Sequence, residues 1–244
     1  MSKTDSRRRS DGGPAVGAAT GAGGPGARLW RRWVAANGAA ELLGLGATGA
    51  TIALSFSHLE GLPGLAGVLL TLLAAAVSGA FEATIVGLAQ WWAMHPWFPG
   101  IARRAWWLAT LAGALVAYVL GFLPSSLMSL SAEASGEPVT EPTQAAMLLF
   151  AAGLGLVAGA VLSFAQWLVL RQRVSGAGCW VPANMLAWLA GMPIIFWAID
   201  GAQRLEAPIQ AALLLAGCLL LTGLLVGAIH GAFLVRLARR AATG

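Results

Sequence analysis

Three ionisable residues lie inside long apolar stretches of this chain: Glu41, Glu82 and His230. A charged side chain in the middle of a bilayer costs about 3 kcal/mol or more, so such groups are paired, wet or functional. Glu41 falls eight residues after Trp33, and Glu82 nine residues before Trp91. At the helical rise these offsets are roughly 12 and 13.5 Å, so the two carboxylates sit at similar depth on adjacent antiparallel helices. Two readings stay open. Facing each other, they share a proton or a cation. Facing apart, each is protonated and bonded to a neighbouring helix. Helical spacing from Asn37 also puts Glu41, Gly44, Thr48, Thr51 and Ser55 on one face, a polar stripe roughly 27 Å long. The corresponding residues of the third span are Thr110, Ala114, Ala117 and Gly121, and those of the fifth are Asn184, Trp188, Gly191 and Ile195. Only the first stripe is polar throughout. Together Asn37, Glu41, Thr48, Glu82 and His230 form a candidate ion or proton site, although Ser, Thr and Gly are also ordinary helix-contact residues in lipid.

His230 is conceivable as a haem or chlorophyll ligand. A bis-histidine haem needs a second His at matching depth, and His58 and His95 fall at opposite surfaces, so a packed neutral imidazole is expected. No cofactor and no metal site is expected. The two cysteines, Cys179 at a helix entrance and Cys218 inside an apolar stretch, suggest neither a disulfide nor a ligand pair. Catalytic motifs are missing: there is no HExxH, GxSxG or phosphate-binding loop, and no enzyme is expected.

These residues need a scaffold, and composition names its solvent. The chain is 58% hydrophobic and 10% charged, with mean hydropathy +0.74. A soluble domain carries about 25% charged residues, so there is too little polar surface here to coat a water-soluble globule. Six apolar stretches, at about 33–56, 64–94, 105–124, 144–170, 180–199 and 208–235, each approach or exceed the roughly 20 residues that a span needs. The fold expected is an all-α six-helix transmembrane bundle. Short polar breaks fall at 57–63, 95–104, 125–143, 171–178 and 200–207. Residues 1–29 are basic and rich in Gly and Ala, and read as a disordered cytoplasmic tail. Arg7 to Arg9 lack the apolar region and cleavage site of a twin-arginine signal.

Fourteen of the 15 basic residues fall on the side of the tail, and only Arg204 on the other. The positive-inside rule places that side, with both termini, in the cytoplasm. The net charge of +5 forms no stripe or motif for nucleic acid, and none is expected as a partner. Nine of eleven Trp fall at the same helix ends, which reads as an interfacial belt. Expected partners are the bilayer and a second membrane protein or another copy of this chain.

The chain also repeats itself. Trp33, Trp106 and Trp180 open the odd spans, and Gly44, Ala117 and Gly191 follow each in register. Rows of small residues four apart mark the even spans: Gly79, Ala83, Gly87; Gly155, Gly159, Ser163; Gly223, Gly227, Gly231. Such rows let another backbone approach closely. We read three hairpins, at about 30–103, 104–177 and 178–244, around a pseudo-threefold axis along the membrane normal. Gln90 and Gln166, with Asn37, Thr110 and Asn184, would ring the cytoplasmic end of that axis. His95, Arg171 and Arg239 would surround the ring and contact anions such as lipid headgroups, or simply anchor the interface.

The segment Gly155, Gly159, Gln166-Trp167-Leu168-Val169-Leu170-Arg171, Trp180, Gly191 resembles a loose group of bacterial multi-span membrane proteins with G-x3-G and QW-x-x-LR motifs. The likeness covers about two spans well, and the first hairpin departs from it with His95 where Arg171 stands. It implies a bacterial inner-membrane location and this architecture, and no reaction. Function is then expected to be passage of a small solute or ion, proton-linked or not, or else a non-catalytic accessory or lipid-binding role.

Overall fold

The computed structural model describes residues 25–59, 64–136 and 142–242, apart from the side chains of residues 25, 52–59 and 133. The expected tail at 1–24, the acidic residues Glu60, Glu137 and Glu141, and the side chains of Ser55 and His58 lie outside the described residues. Every described element is helical: α1 (Pro25–Leu59), α2 (Gly64–Met94), α3 (Arg103–Ser135), α4 (Gln144–Leu170), α5 (Trp180–Gln203) and α6 (Pro208–Ala241), with one 3-10 turn at Ala177–Cys179 before α5. Helix α1 begins at Pro25, inside the stretch assigned to the tail.

Helix ends carry ordinary chemistry. The Thr143 hydroxyl caps α4 by accepting from the Ala146 amide at 3.3 Å. Pro208 opens α6, where its missing N–H costs nothing. Helix α3 departs from expectation by running on through Pro124 to Ser135 instead of ending near residue 124. Downstream hydroxyls bond back to the helix, Ser125 to the Phe122 carbonyl and Ser129 to that of Ser125, both at 3.0 Å. It ends at Gly136, which takes the left-handed conformation (φ 70°) that only glycine adopts without strain, and returns its N–H to the Ala132 carbonyl.

Five helices, α2 to α6, are long and apolar enough to cross a membrane. The described part of α1 is more polar, since its interior side carries Asn37, Glu41 and Thr48. It is nonetheless an integral part of the bundle. Each helix packs along its predecessor and successor, and α6 packs along α1, which closes a ring of six. The outside is apolar: Leu69, Leu73, Val77 and Phe81 of α2 stand exposed at four-residue spacing, and Leu149, Val157 and Phe164 of α4 stand exposed about two turns apart. A water-soluble protein would not present such a surface, and the chain is a multi-span helical membrane protein.

Small residues set the ring's dimensions. The row on each even helix faces the odd helix that follows, and the row on α6 faces α1. A Cβ on Gly155 would run into the Trp188 carbonyl oxygen, and one on Gly159 would lie 2.6 Å from that of Asn184. Gly223 would meet the Asn37 carbonyl oxygen at 2.7 Å. Backbones this close gain dispersion contacts that bulkier residues would prevent.

Gly155→Ala should therefore lower stability by about 1–3 kcal/mol although alanine is the better helix former. Gly153→Ala, where nothing lies within 4 Å, should be neutral or stabilising. Thermal unfolding of the two variants in detergent checks this.

Candidate functional site

Two polar levels lie inside the ring. The first is nearest the arginine-rich end, and tryptophan builds it. Trp33, Trp106 and Trp180 are fully buried, each near the start of its odd helix. Trp180 meets Trp33 edge-on at 5.9 Å between centroids and Trp106 at 6.1 Å. These three are core residues on the bundle axis, not members of an interfacial belt. Position along the chain did not distinguish them from Trp30 and Trp92, which are exposed. The buried apolar cluster around them, with Leu29, Met94, Phe98, Leu170, Leu234 and Leu237, closes this end.

His230 belongs to the same level. Its Nδ1 accepts from Trp33 Nε1 at 2.7 Å, and its ring packs 5.5 Å from Trp33 and 5.6 Å from Trp180. It is thus a packed imidazole, separate from the carboxylates. The predicted polar ring also sits here as one connected network. Gln90 Nε2 donates to Asn37 Oδ1 (2.9 Å), Gln166 Nε2 donates to Gln90 Oε1 (3.1 Å) and Thr110 Oγ1 (3.0 Å), and Trp180 Nε1 donates to Gln166 Oε1 (3.0 Å). Asn184 is buried, but its amide bonds back to the Trp180 carbonyl at 2.9 Å. Trp106 Nε1 has no hydrogen-bond partner.

At this end's surface His95, Arg171 and Arg239 are exposed. His95 lies on Trp91 with centroids 4.7 Å apart, and Arg171 lies 4.6 Å over Trp167. Arg239 lies against the start of α1 at Gly26. At the opposite end Arg204 pairs with Asp200 at 2.8 Å, and Asp200 also accepts from Gln144 at 3.2 Å.

The second level lies about two turns further along the axis and holds the carboxylates. Glu41 is 1% exposed and Glu82 is 9% exposed. Gly44 lets the Glu82 stem lie flat on α1, since a Cβ there would fall 2.7 Å from Glu82 Cγ. Glu41 is wedged against α6 in the same way, its Cβ 2.8 Å from where a Gly223 Cβ would be. Both carboxylates thus pack where α1 meets its neighbours, Glu82 on the α2 side and Glu41 on the α6 side.

Tyr118 of α3 completes the cluster, and sequence reasoning missed it. Its hydroxyl donates to Glu82 Oε2. Thr48 Oγ1 in turn donates to the Ser78 carbonyl at 3.4 Å. Tyr118 is the one tyrosine in the chain and stands inside an apolar span, which was the available signal. The polar stripe ends sooner than expected: Thr51 is exposed and bonds back to the Ala47 carbonyl at 2.8 Å. Two side-chain oxygens in this level, Glu41 Oε2 and Ser78 Oγ, are buried without a hydrogen-bond partner.

No known family, no curated protein and no solved structure matches this chain.

The network makes a comparison available. Trp180→Phe removes the donor to Gln166, whereas Trp106→Phe removes an indole N–H that bonds nothing. The first should cost about 1 kcal/mol more than the second, read from unfolding midpoints of the two variants.

Proposed function

We propose that this protein moves a small ion or solute across a bacterial cytoplasmic membrane, with the Glu41–Glu82 pair as its proton-linked site. The observation that carries this reading is the meeting of two buried carboxylates, a tyrosine and two hydroxyl residues on three different helices, midway along the bundle. Packing alone does not need ionisable groups there, and lipid penalises them. Carboxylates are the side chains that take up and release protons, and here two lie at similar depth on adjoining helices.

Orientation is part of the proposal. Basic residues of α1, of the start of α3, of the turn at 171–179 and of the α6 terminus gather at one end, which supports cytoplasmic termini. The matching Trp positions and small-residue rows support three related hairpins around one axis. The site then belongs to the first hairpin, completed by Tyr118 of the second. We assign no catalysis.

A second reading has its own observation. The three indoles and the amide network close the axis at one end, as in a protein whose task is to bind a lipid or a partner subunit rather than to conduct.

Flux in proteoliposomes decides between them. Under the transport reading, an imposed proton or ion gradient drives flux in the wild type, and Glu41→Gln and Glu82→Gln each remove it while still inserting. The absence of flux under every gradient, with a lipid or protein that co-purifies, would instead establish the accessory role.

A further inference from the structure

We propose that Glu41 and Glu82, with the Tyr118 and Thr48 hydroxyls beside them, form a binding site for a small hard monovalent cation of the sodium class, which exchanges against a proton. This deepens the transport reading and rests on the same residues, but binding can be measured without flux.

The first argument is charge. On α1 the groups facing the site are Glu41 and Thr48, on α2 Glu82 and Ser78, on α3 Tyr118, and on α6 the bare backbone at Gly223. None is basic. Along α6 His230 is seven residues away, roughly 10.5 Å, and is engaged by Trp33. Along α1 Arg32 is nine residues away, roughly 13.5 Å, and its guanidinium lies 3.7 Å over the Trp92 ring. The protein therefore supplies no countercharge, and a buried carboxylate pair without one must take it from outside. The candidates are protons and cations.

The second argument is the donor set. Every group in the site is an oxygen donor, and no cluster of three or more His, Cys, Asp or Glu occurs among the described residues, so soft and transition metals are disfavoured. The Tyr118 and Thr48 hydroxyls already serve Glu82 and the Ser78 carbonyl. That leaves the carboxylate oxygens as free ligands. Calcium takes about six to eight oxygens and magnesium about six in an octahedron, more than the site offers. A monovalent ion needs fewer ligands, and together with one proton it neutralises the pair.

The third argument is an orphaned atom. Glu41 Oε2 is buried and unpartnered. Buried polar atoms are satisfied in nearly all native proteins, so a bare carboxylate oxygen points to a missing partner. A cation held by Glu41 and Glu82 supplies it.

The test uses the full chain purified in detergent, with radioactive sodium as ligand and choline chloride holding ionic strength constant. Expected is saturable sodium binding at about pH 8.5 that weakens at about pH 5.5, as protons compete for the same carboxylates. Glu41→Gln should lose at least about tenfold in affinity, with its unfolding midpoint in choline no lower than that of the wild type. Glu82→Gln should weaken sodium binding likewise while still folding. The proposal is overturned if the folded wild type shows no saturable sodium binding at the higher pH. It is equally overturned if Glu41→Gln and Glu82→Gln both bind as the wild type does. Sodium binding without flux would keep the site and remove the transport reading, and flux without sodium binding would do the reverse.

Discussion

Three indole rings on the axis set the geometry on which the rest of the bundle depends. Trp33, Trp106 and Trp180 enter from alternate helices and meet edge to face. Edge-to-face contact satisfies the ring quadrupoles and fills a space too wide for aliphatic side chains. It fixes the odd helices around a common centre at the arginine-rich end. The even helices then fit between them, because glycine and alanine rows allow backbone-to-backbone approach. With the distances so fixed, α6 comes back against α1 and the ring closes.

A bilayer offers no hydrogen-bond partners, so each polar group brought inside must find one within the protein. The level of the indoles meets that demand almost completely. Asn37, Gln90, Gln166, Thr110 and Trp180 form one chain of bonds across five helices, and His230 answers Trp33. This is the arrangement expected of a structural polar core, where full satisfaction converts a liability into specificity of packing. Two turns along the axis the demand is not met. Glu41 and Ser78 keep bare oxygens, although both are as buried as the residues of the network. The indole level leaves Trp106 Nε1 over, a neutral N–H, whereas the second level leaves a carboxylate oxygen, and that difference in kind is the physical basis for separating scaffold from site.

The likeness among the three hairpins sharpens this contrast. Where α1 carries Glu41, the corresponding positions of α3 and α5 are Ala114 and Trp188. Where α4 offers Gln166 to the Trp180 indole, Gln90 is committed to Asn37 and Gln166, and Trp106 is left without an acceptor. The scaffold features repeat, whereas the charged ones occur once. A device for packing benefits from being present in every copy, while a single ion site needs only one.

Much of this was legible in the residues. Apolar runs marked α2 and α4 to the residue, because lipid demands about 20 apolar residues per span and a charge or proline ends the run. Equal depth of Glu41 and Glu82 followed from their offsets to Trp33 and Trp91, since helical rise is constant. The polar ring followed from Gln90, Gln166 and Asn37 occupying one level. Other features depended on which way a side chain turns, and one-dimensional spacing does not carry that. Trp33 and Trp30 are three residues apart at the same helix end, yet one is buried and the other exposed. Helix α3 passed Pro124 because later hydroxyls bonded back to the helix. Tyr118 joined the carboxylates only because Gly79 admits its ring against α2, where an added Cβ would lie 2.7 Å from it. Composition and periodicity thus determined the membrane, the helices and the depth of each polar group. The tertiary structure alone decided which of those groups meet, because meeting depends on the closeness of two backbones, and that is a property of the pair rather than of either sequence.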